Sequence, residues 1–252
     1  MAKTKRRPSW RAALICVLMF VLVLALVPHF VYAEDEYWDE GYSNGAAYGD
    51  PHVSSFSGGW LLGVDVSEWN GVIDWEAVAA GGIDYAILRC GVTYGSYGER
   101  DVDEQFYYNA SECERLGIPY GVYYYSGAEN YDEAVAEAWY VLSVIDGCSL
   151  SLPVYIDLEV SYMGSPEWAD TLTEISQGFC GTIAAAGYRP GVYASVSWWA
   201  WLLTDSCFDE WSKWVAAYDS YCDYDDADIW QYTDDGEAYG IDWPVDLNIL
   251  YL

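Results

Sequence analysis

Basic residues are scarce in this chain. Ten Lys and Arg stand against 40 Asp and Glu, and five of the ten fall within residues 1–33, where no acid occurs. Beyond that segment only Arg89, Arg100, Arg115, Arg189 and Lys213 oppose the acids. A field of that sign repels nucleic acid and anionic lipid, so it argues against polyanion binding. A solvated acidic surface accounts for it without a basic partner. Histidine is scarcer still. His52 is the one imidazole outside the N-terminal segment, and it lies in a polar stretch ahead of any periodic pattern. Nucleophilic catalysis of the Ser–His or Cys–His kind therefore lacks its base. There is no CxxC and no Cys/His cluster, which argues against a thiol–imidazole zinc site. The acidic run Asp223–Asp228 lacks the spacing and glycine of a calcium loop. No metal and no cofactor is expected.

What is present begins with a targeting signal. Lys3, Lys5, Arg6, Arg7 and Arg11 precede an apolar run over Ala12–Val27, and Val31-Tyr32-Ala33 supplies a small-residue cleavage pattern. Residues 1–33 read as a secretory signal peptide or an uncleaved signal anchor, which predicts a secreted or cell-surface protein. Residues 34–59 are rich in Gly, Ser, Tyr and acids and read as a linker. Residues 60–252 suffice for one domain, expected to act as a monomer. Once Cys16 leaves with the signal, Cys90, Cys113, Cys148, Cys180, Cys207 and Cys222 remain. In an exported chain they are expected to serve as disulfide staples.

Strand-like runs occur at Leu61–Val66, Tyr85–Cys90, Tyr120–Ser126, Pro153–Leu158, Gly191–Ala194, Trp214–Tyr218, Ile229–Tyr232 and Val245–Leu247. Helical patterns lie between the early ones: a short helix capped by Asp74, then Asp103–Leu116, Tyr131–Ile145 capped by Asn130, Glu167–Ala186 and Val196–Leu203. Such alternation predicts an α/β fold with a parallel sheet under helices. A doubly wound sheet would call for a Gly-rich phosphate turn after its first strand, and none is there. Eight strands with about five helices point instead to an irregular TIM-like barrel. Its last strands have room only for short, partly antiparallel connections.

The run PVYIDLE (Pro153–Glu159) starts as a buried strand and ends in two carboxylates. Residues i and i+2 of a strand share a face, which sets Asp157 and Glu159 side by side, roughly 6–7 Å apart at Cα. Repulsion between them raises the pKa of one, the condition for an acid and a base in glycosidic cleavage. Function in such barrels gathers at the C-terminal ends of strands, and Asp65 in GVDVSEWNG and Asp246 in PVDLN are expected there too. First and last strands are neighbours in a closed barrel, so these two should meet.

The blocks GVDVSEWNGVIDW, YAILRCG, GIPYGVYYYSGA, Asn130–Ala138, PVYIDLE, GYRPGVYAS, WVAAY, DIWQYT and GIDWPVDLN follow one another in the order found in the muramidases of glycoside hydrolase family twenty-five, and the chain resembles that family over nearly all of residues 61–252. The resemblance implies an irregular barrel of eight strands and about five helices. It implies hydrolysis of the β-1,4 bond between N-acetylmuramic acid and N-acetylglucosamine in peptidoglycan, the expected partner. Glu159 matches the general acid/base. Asp157 matches the partner carboxylate, as nucleophile or as an aid to the substrate's 2-acetamido group. Asp65 and Asp246 match supporting acids. The same-face pair suits a retaining mechanism, by either route. Tyr124 departs from the His or Trp that many relatives carry in that place.

Aromatic rings suit the flat apolar faces of sugars, and the chain has 25 Tyr and 14 Trp. Tyr125, Tyr193 and Trp230 are the candidate subsite walls, each with core packing as its alternative. Arg89 is either a clamp on the acids or on the lactyl carboxylate, or a structural ion pair. A non-catalytic peptidoglycan-binding module on the same fold is the functional alternative. It would be expected to lack one of the four acids.

Overall fold

The computed structural model describes residues 59–94, 98–242 and 244–252. The proposed signal and nearly all of the linker lie outside the described residues. Among those described, no helix is long and apolar enough to cross a membrane.

Among the described residues, nine strands and five α-helices follow one another. They are β1 (Trp60–Val66), α1 (Trp75–Ala80), β2 (Tyr85–Tyr94), β3 (Glu99–Val102), α2 (Phe106–Leu116), β4 (Tyr120–Tyr125), α3 (Tyr131–Val144), β5 (Val154–Asp157), α4 (Ala169–Ala185), β6 (Pro190–Ser195), α5 (Val196–Trp201), β7 (Ser212–Ala216), β8 (Ile229–Gly236) and β9 (Val245–Tyr251). The sheet runs β1-β9-β8-β7-β6-β5-β4-β2 and closes through a parallel β1–β2 pairing. Pairings from β2 through β8 are parallel, whereas β9 is antiparallel to both β8 and β1. The result is the expected eight-stranded irregular barrel. β3 lies outside it, as an antiparallel flap on the extended end of β2.

Local chemistry sets the helix ends. Asp74 and Asn130 accept the backbone N–H of Ala77 and Glu133 and so cap α1 and α3. Gly117, at φ +71°, ends α2 in the left-handed conformation that glycine adopts without strain. The pattern placed the start of α2 at Asp103, but it starts three residues later. Asp103 is occupied elsewhere, accepting Nε of Arg89 and the N–H groups of Glu68 and Gln105.

Period-two alternation in the strands separates an outward core from an inward one, with a small third cluster around Trp230. Outward residues such as Val64, Leu88, Val122, Ile156 and Val192 meet the helices in the main core. Inward residues fill the barrel with rings: Tyr85, Tyr155, Tyr193 and Trp214 cluster with Ile87 and Ile229. Such rings fit only beside positions without a side chain. A Cβ on Gly63 or on Gly191 would lie 2.3 Å from the ring of Tyr85 or Tyr155.

The expectation of disulfide staples is corrected. All six cysteines of the domain are unpaired. Cys90, Cys113 and Cys180 are fully buried core residues, each behaving as a small apolar side chain. Burial pushes their thiols far up, which suppresses thiolate chemistry.

Candidate active site

The four predicted acids meet at one mouth of the barrel. Asp65 on β1 and Asp246 on β9 are direct register partners. Asp246 differs from the expectation that it ends a strand. It is the second residue of β9, and it reaches the mouth because β9 runs antiparallel. Asp157 ends β5, and Glu159 follows two residues later, where Leu158 still pairs with the carbonyl of Tyr193. All four line a cavity of about 150 Å³ together with Tyr123, Tyr193, Trp214, Tyr218, Gln231 and Asp234. No cation lines it.

Asp65 is buried, and its Oδ2 accepts Nδ2 of Asn248 at 2.7 Å and Nε2 of Gln231 at 2.9 Å. Both amides are oriented from behind. Trp214 donates its indole N–H to Oδ1 of Asn248 at 2.8 Å. The hydroxyls of Tyr193 and Tyr218 donate to Oε1 of Gln231 at 2.8 and 2.9 Å. With each amide oxygen occupied, each amide N–H must point at Asp65. Asp157 is also buried, but its Oδ1 has no partner. Glu159 is the solvent-exposed member of the pair.

The four predicted carboxyls, with Asp234 as a fifth at the same cavity, cannot all ionise in so small a space. Burial is the first cause of a raised pKa at each of the four. Asp157 is pushed well up by burial, then by the charges of Glu159 and Asp65, against a downward pull from Arg89. Glu159 is raised by burial and by Asp246. Asp65 is raised by burial, partly offset by its two amide donors. Asp246, close to Asp65 and hydrogen-bonded to it, is pushed up to about 9. The pair therefore keeps a proton well above the ordinary carboxylate range, while the two amide donors favour the charged form of Asp65.

The candidate binding residues divide. Tyr193 lines the acid cavity. Tyr125 is the register partner of Asp157 and half buried, and its phenol is raised by burial first and then by the charges of Glu159 and Asp157. Trp230 is corrected: it is 1% exposed, packed against Ala217 and Ile249 outside the barrel bore, with its indole N–H on the carbonyl of Ala217 at 2.7 Å. It offers no face to a sugar. Its neighbour Gln231 points inward instead. Arg89 resolves as a structural ion pair, with Nε on Asp103 at 2.7 Å and Nη2 on Glu68 at 2.8 Å. Tyr124 faces the helices, buried and bonded to Thr93, away from the mouth. Asn248 escaped the sequence reading, although it follows Asp246 by two and so shares its face.

The profile of the family described as Glycosyl hydrolases family 25 matches residues 64–241. The chain belongs to this family. It is a glycoside hydrolase, and its family 25 relatives span known lysozymes. Lysozyme M1 of Streptomyces globisporus is 26% identical over 207 residues, covering 75% of this chain and 67% of that protein. The protein YegX of Escherichia coli K12 is 26% identical over 251 residues, covering 94% of this chain and 89% of its own. Among solved structures, the autolysin LytC of Streptococcus pneumoniae in complex with a synthetic peptidoglycan ligand superposes with a TM-score of 0.68 at 30% identity. That match covers 76% of this chain and 47% of LytC, so this chain spans about half of that autolysin. The lysozyme of Streptomyces coelicolor shares the fold, with a TM-score of 0.60 at 24% identity over 75% of this chain and 90% of that one.

Proposed function

We propose that the domain is a muramidase, cutting the β-1,4 bond between N-acetylmuramic acid and N-acetylglucosamine in peptidoglycan with retention. The observation that carries this reading is the division of labour among the acids at the mouth. Glu159 is exposed at the cavity and its carboxyl is raised by burial and by Asp246, which places a proton within reach of the glycosidic oxygen as the C1–O bond breaks. Asp157 lines the same cavity, buried, and its Oδ1 has no partner among the described residues. It either attacks C1 or orients the 2-acetamido group that does. Water then attacks C1, breaking its bond to Asp157 or to the acetamido oxygen, and gives its proton to Glu159. The Asp65–Asp246 pair, fixed by Gln231 and Asn248, sets the charge seen by the other two. The LytC complex supports peptidoglycan as the substrate class. These steps use the chain's own carboxyls.

The domain is proposed to act outside the cell, delivered by its N-terminal segment, as a monomer. The bond specificity is tested by digesting purified peptidoglycan with residues 34–252 and identifying the new reducing ends by mass spectrometry. Muramic acid ends are expected. Glucosamine ends would keep the hydrolase but assign it the other bond.

A further inference from the structure

A second buried carboxyl lies outside the acid cavity. Glu137 sits in the middle of α3 and is 1% exposed, on a helix face with Ala134, Ala138 and Val141, all fully buried. A carboxyl is rarely kept in such a place without partners. Two of its partners lie in the loop after β4. Its Oε2 accepts the hydroxyl of Ser126 at 2.6 Å, and its Oε1 accepts the backbone N–H of Gly127 at 3.1 Å. Ser126 Oγ in turn accepts the N–H of Ala128 at 3.2 Å. Gly127 runs so close to β2 that a Cβ there would lie 3.0 Å from the carbonyl oxygen of Thr93. Burial raises the carboxyl of Glu137, and Ser126, Thr93, Gly127 and Arg100 pull it back.

We propose that Glu137 is a positioning residue for the acid pair: it fixes Ser126, and Ser126 fixes the backbone between Asp157 and Glu159. The inference rests on the muramidase reading.

The link runs through one peptide unit. The N–H of Ser126 donates to the carbonyl of Asp157 at 3.1 Å, one step beyond the register pair of Tyr125 with Asp157. From the other side, the N–H of Leu158 donates to the carbonyl of Tyr193 at 3.0 Å. The peptide unit joining Asp157 to Leu158 is thus held at its oxygen by the β4 side and at its nitrogen by the β6 side. Glu159 follows one residue on, past the end of β5. The spacing of the two carboxyls therefore depends on this unit staying in place. Glu137 grips the loop that supplies one of its two anchors, from a helix that does not line the acid cavity. A shift of about 1 Å at a reacting group costs about 10²-fold in rate.

The test compares Glu137→Ala, Glu137→Gln, Ser126→Ala and Val141→Ala with wild type on a peptide-free oligosaccharide of alternating N-acetylglucosamine and N-acetylmuramic acid. Glu137→Ala should lower kcat about 10–100-fold with KM in place. Glu137→Gln keeps an acceptor for Gly127 and a donor for Ser126, so its kcat should stay within about twofold of wild type. Ser126→Ala keeps the backbone N–H and should show part of the loss. Val141→Ala, one turn further along the same helix, should lower the melting temperature and leave kcat unchanged. A second readout needs no turnover: carbon-13 NMR of the Asp157 and Glu159 carboxyls through a pH titration. The charges of Asp65, Asp246 and Arg89 act on this pair in every variant alike. Looser spacing weakens the mutual repulsion, so the split between the two titrations should narrow in Glu137→Ala and not in Val141→Ala.

A folded Glu137→Ala with wild-type kcat and an unchanged split would overturn the proposal. So would an equal loss of kcat in Val141→Ala. Were Glu137→Ala unable to fold, wild-type kcat and split in Ser126→Ala would overturn it. An inactive wild type would defeat the muramidase reading, and the titration split would then decide the positioning role by itself.

Discussion

At the scale of single residues, the mouth depends on where protons rest. Asp246 is protonated in the fold up to about pH 9, but an unfolded chain ionises it near 4. Folding thus holds a proton that the unfolded state has released, and stability falls as pH rises through that window. The loss is absent below about pH 4 and complete above about pH 9. Asp246→Asn should flatten the dependence, raising the melting temperature relative to wild type at pH 8 and little at pH 4. Parallel melting curves at both pH values would contradict the shared proton. Arg89 acts at the same scale but for structure. Its partner Asp103 has a fully buried side chain, so Arg89→Ala should cost about 3 kcal/mol in urea unfolding. A loss below about 1 kcal/mol would show that the two backbone donors suffice for Asp103.

At the scale of elements, much was legible in the sequence. All eight barrel strands showed as apolar runs, and the capping side chains of Asp74 and Asn130 marked real helix starts. β3 was not legible: Glu99–Val102 reads ERDV, with charged residues on a flap that buries little. The inward face of β8 was equally hidden. The run IWQY is compatible with either face turned inward, so parity could not be set from that strand alone, and Trp230 was assigned the place that Gln231 holds. Asn248 was accessible by the same i, i+2 rule that paired Asp157 with Glu159. The ring-filled bore makes its own prediction. Gly191→Ala should destabilise by about 2 kcal/mol by driving a methyl into Tyr155. Gly181→Ala, on an open helical site, should stabilise by about 0.5–1 kcal/mol. Equal effects at the two positions would refute the packing argument.

At the scale of the whole molecule, closure explains why distant sequence positions form one site. The antiparallel return of β9 brings Asp246 beside Asp65, 181 positions earlier in the chain, and β5 faces them across the bore. The proposed substrate belongs to cell walls, and any anionic polymer in them would repel so acidic a chain. Screening should help it, so turnover of whole cell walls should rise between low and moderate ionic strength. Flat or falling turnover over that range would show that long-range repulsion does not limit access.

The account's central claim is that Glu159 supplies the proton. The most direct measurement is the rate of new reducing ends from peptidoglycan for wild type and for Glu159→Gln, with folding of both verified by melting temperature. A loss of about 10²–10⁴-fold in a fully folded variant is predicted. Wild-type turnover in that variant would remove Glu159 from the chemistry and contradict the account.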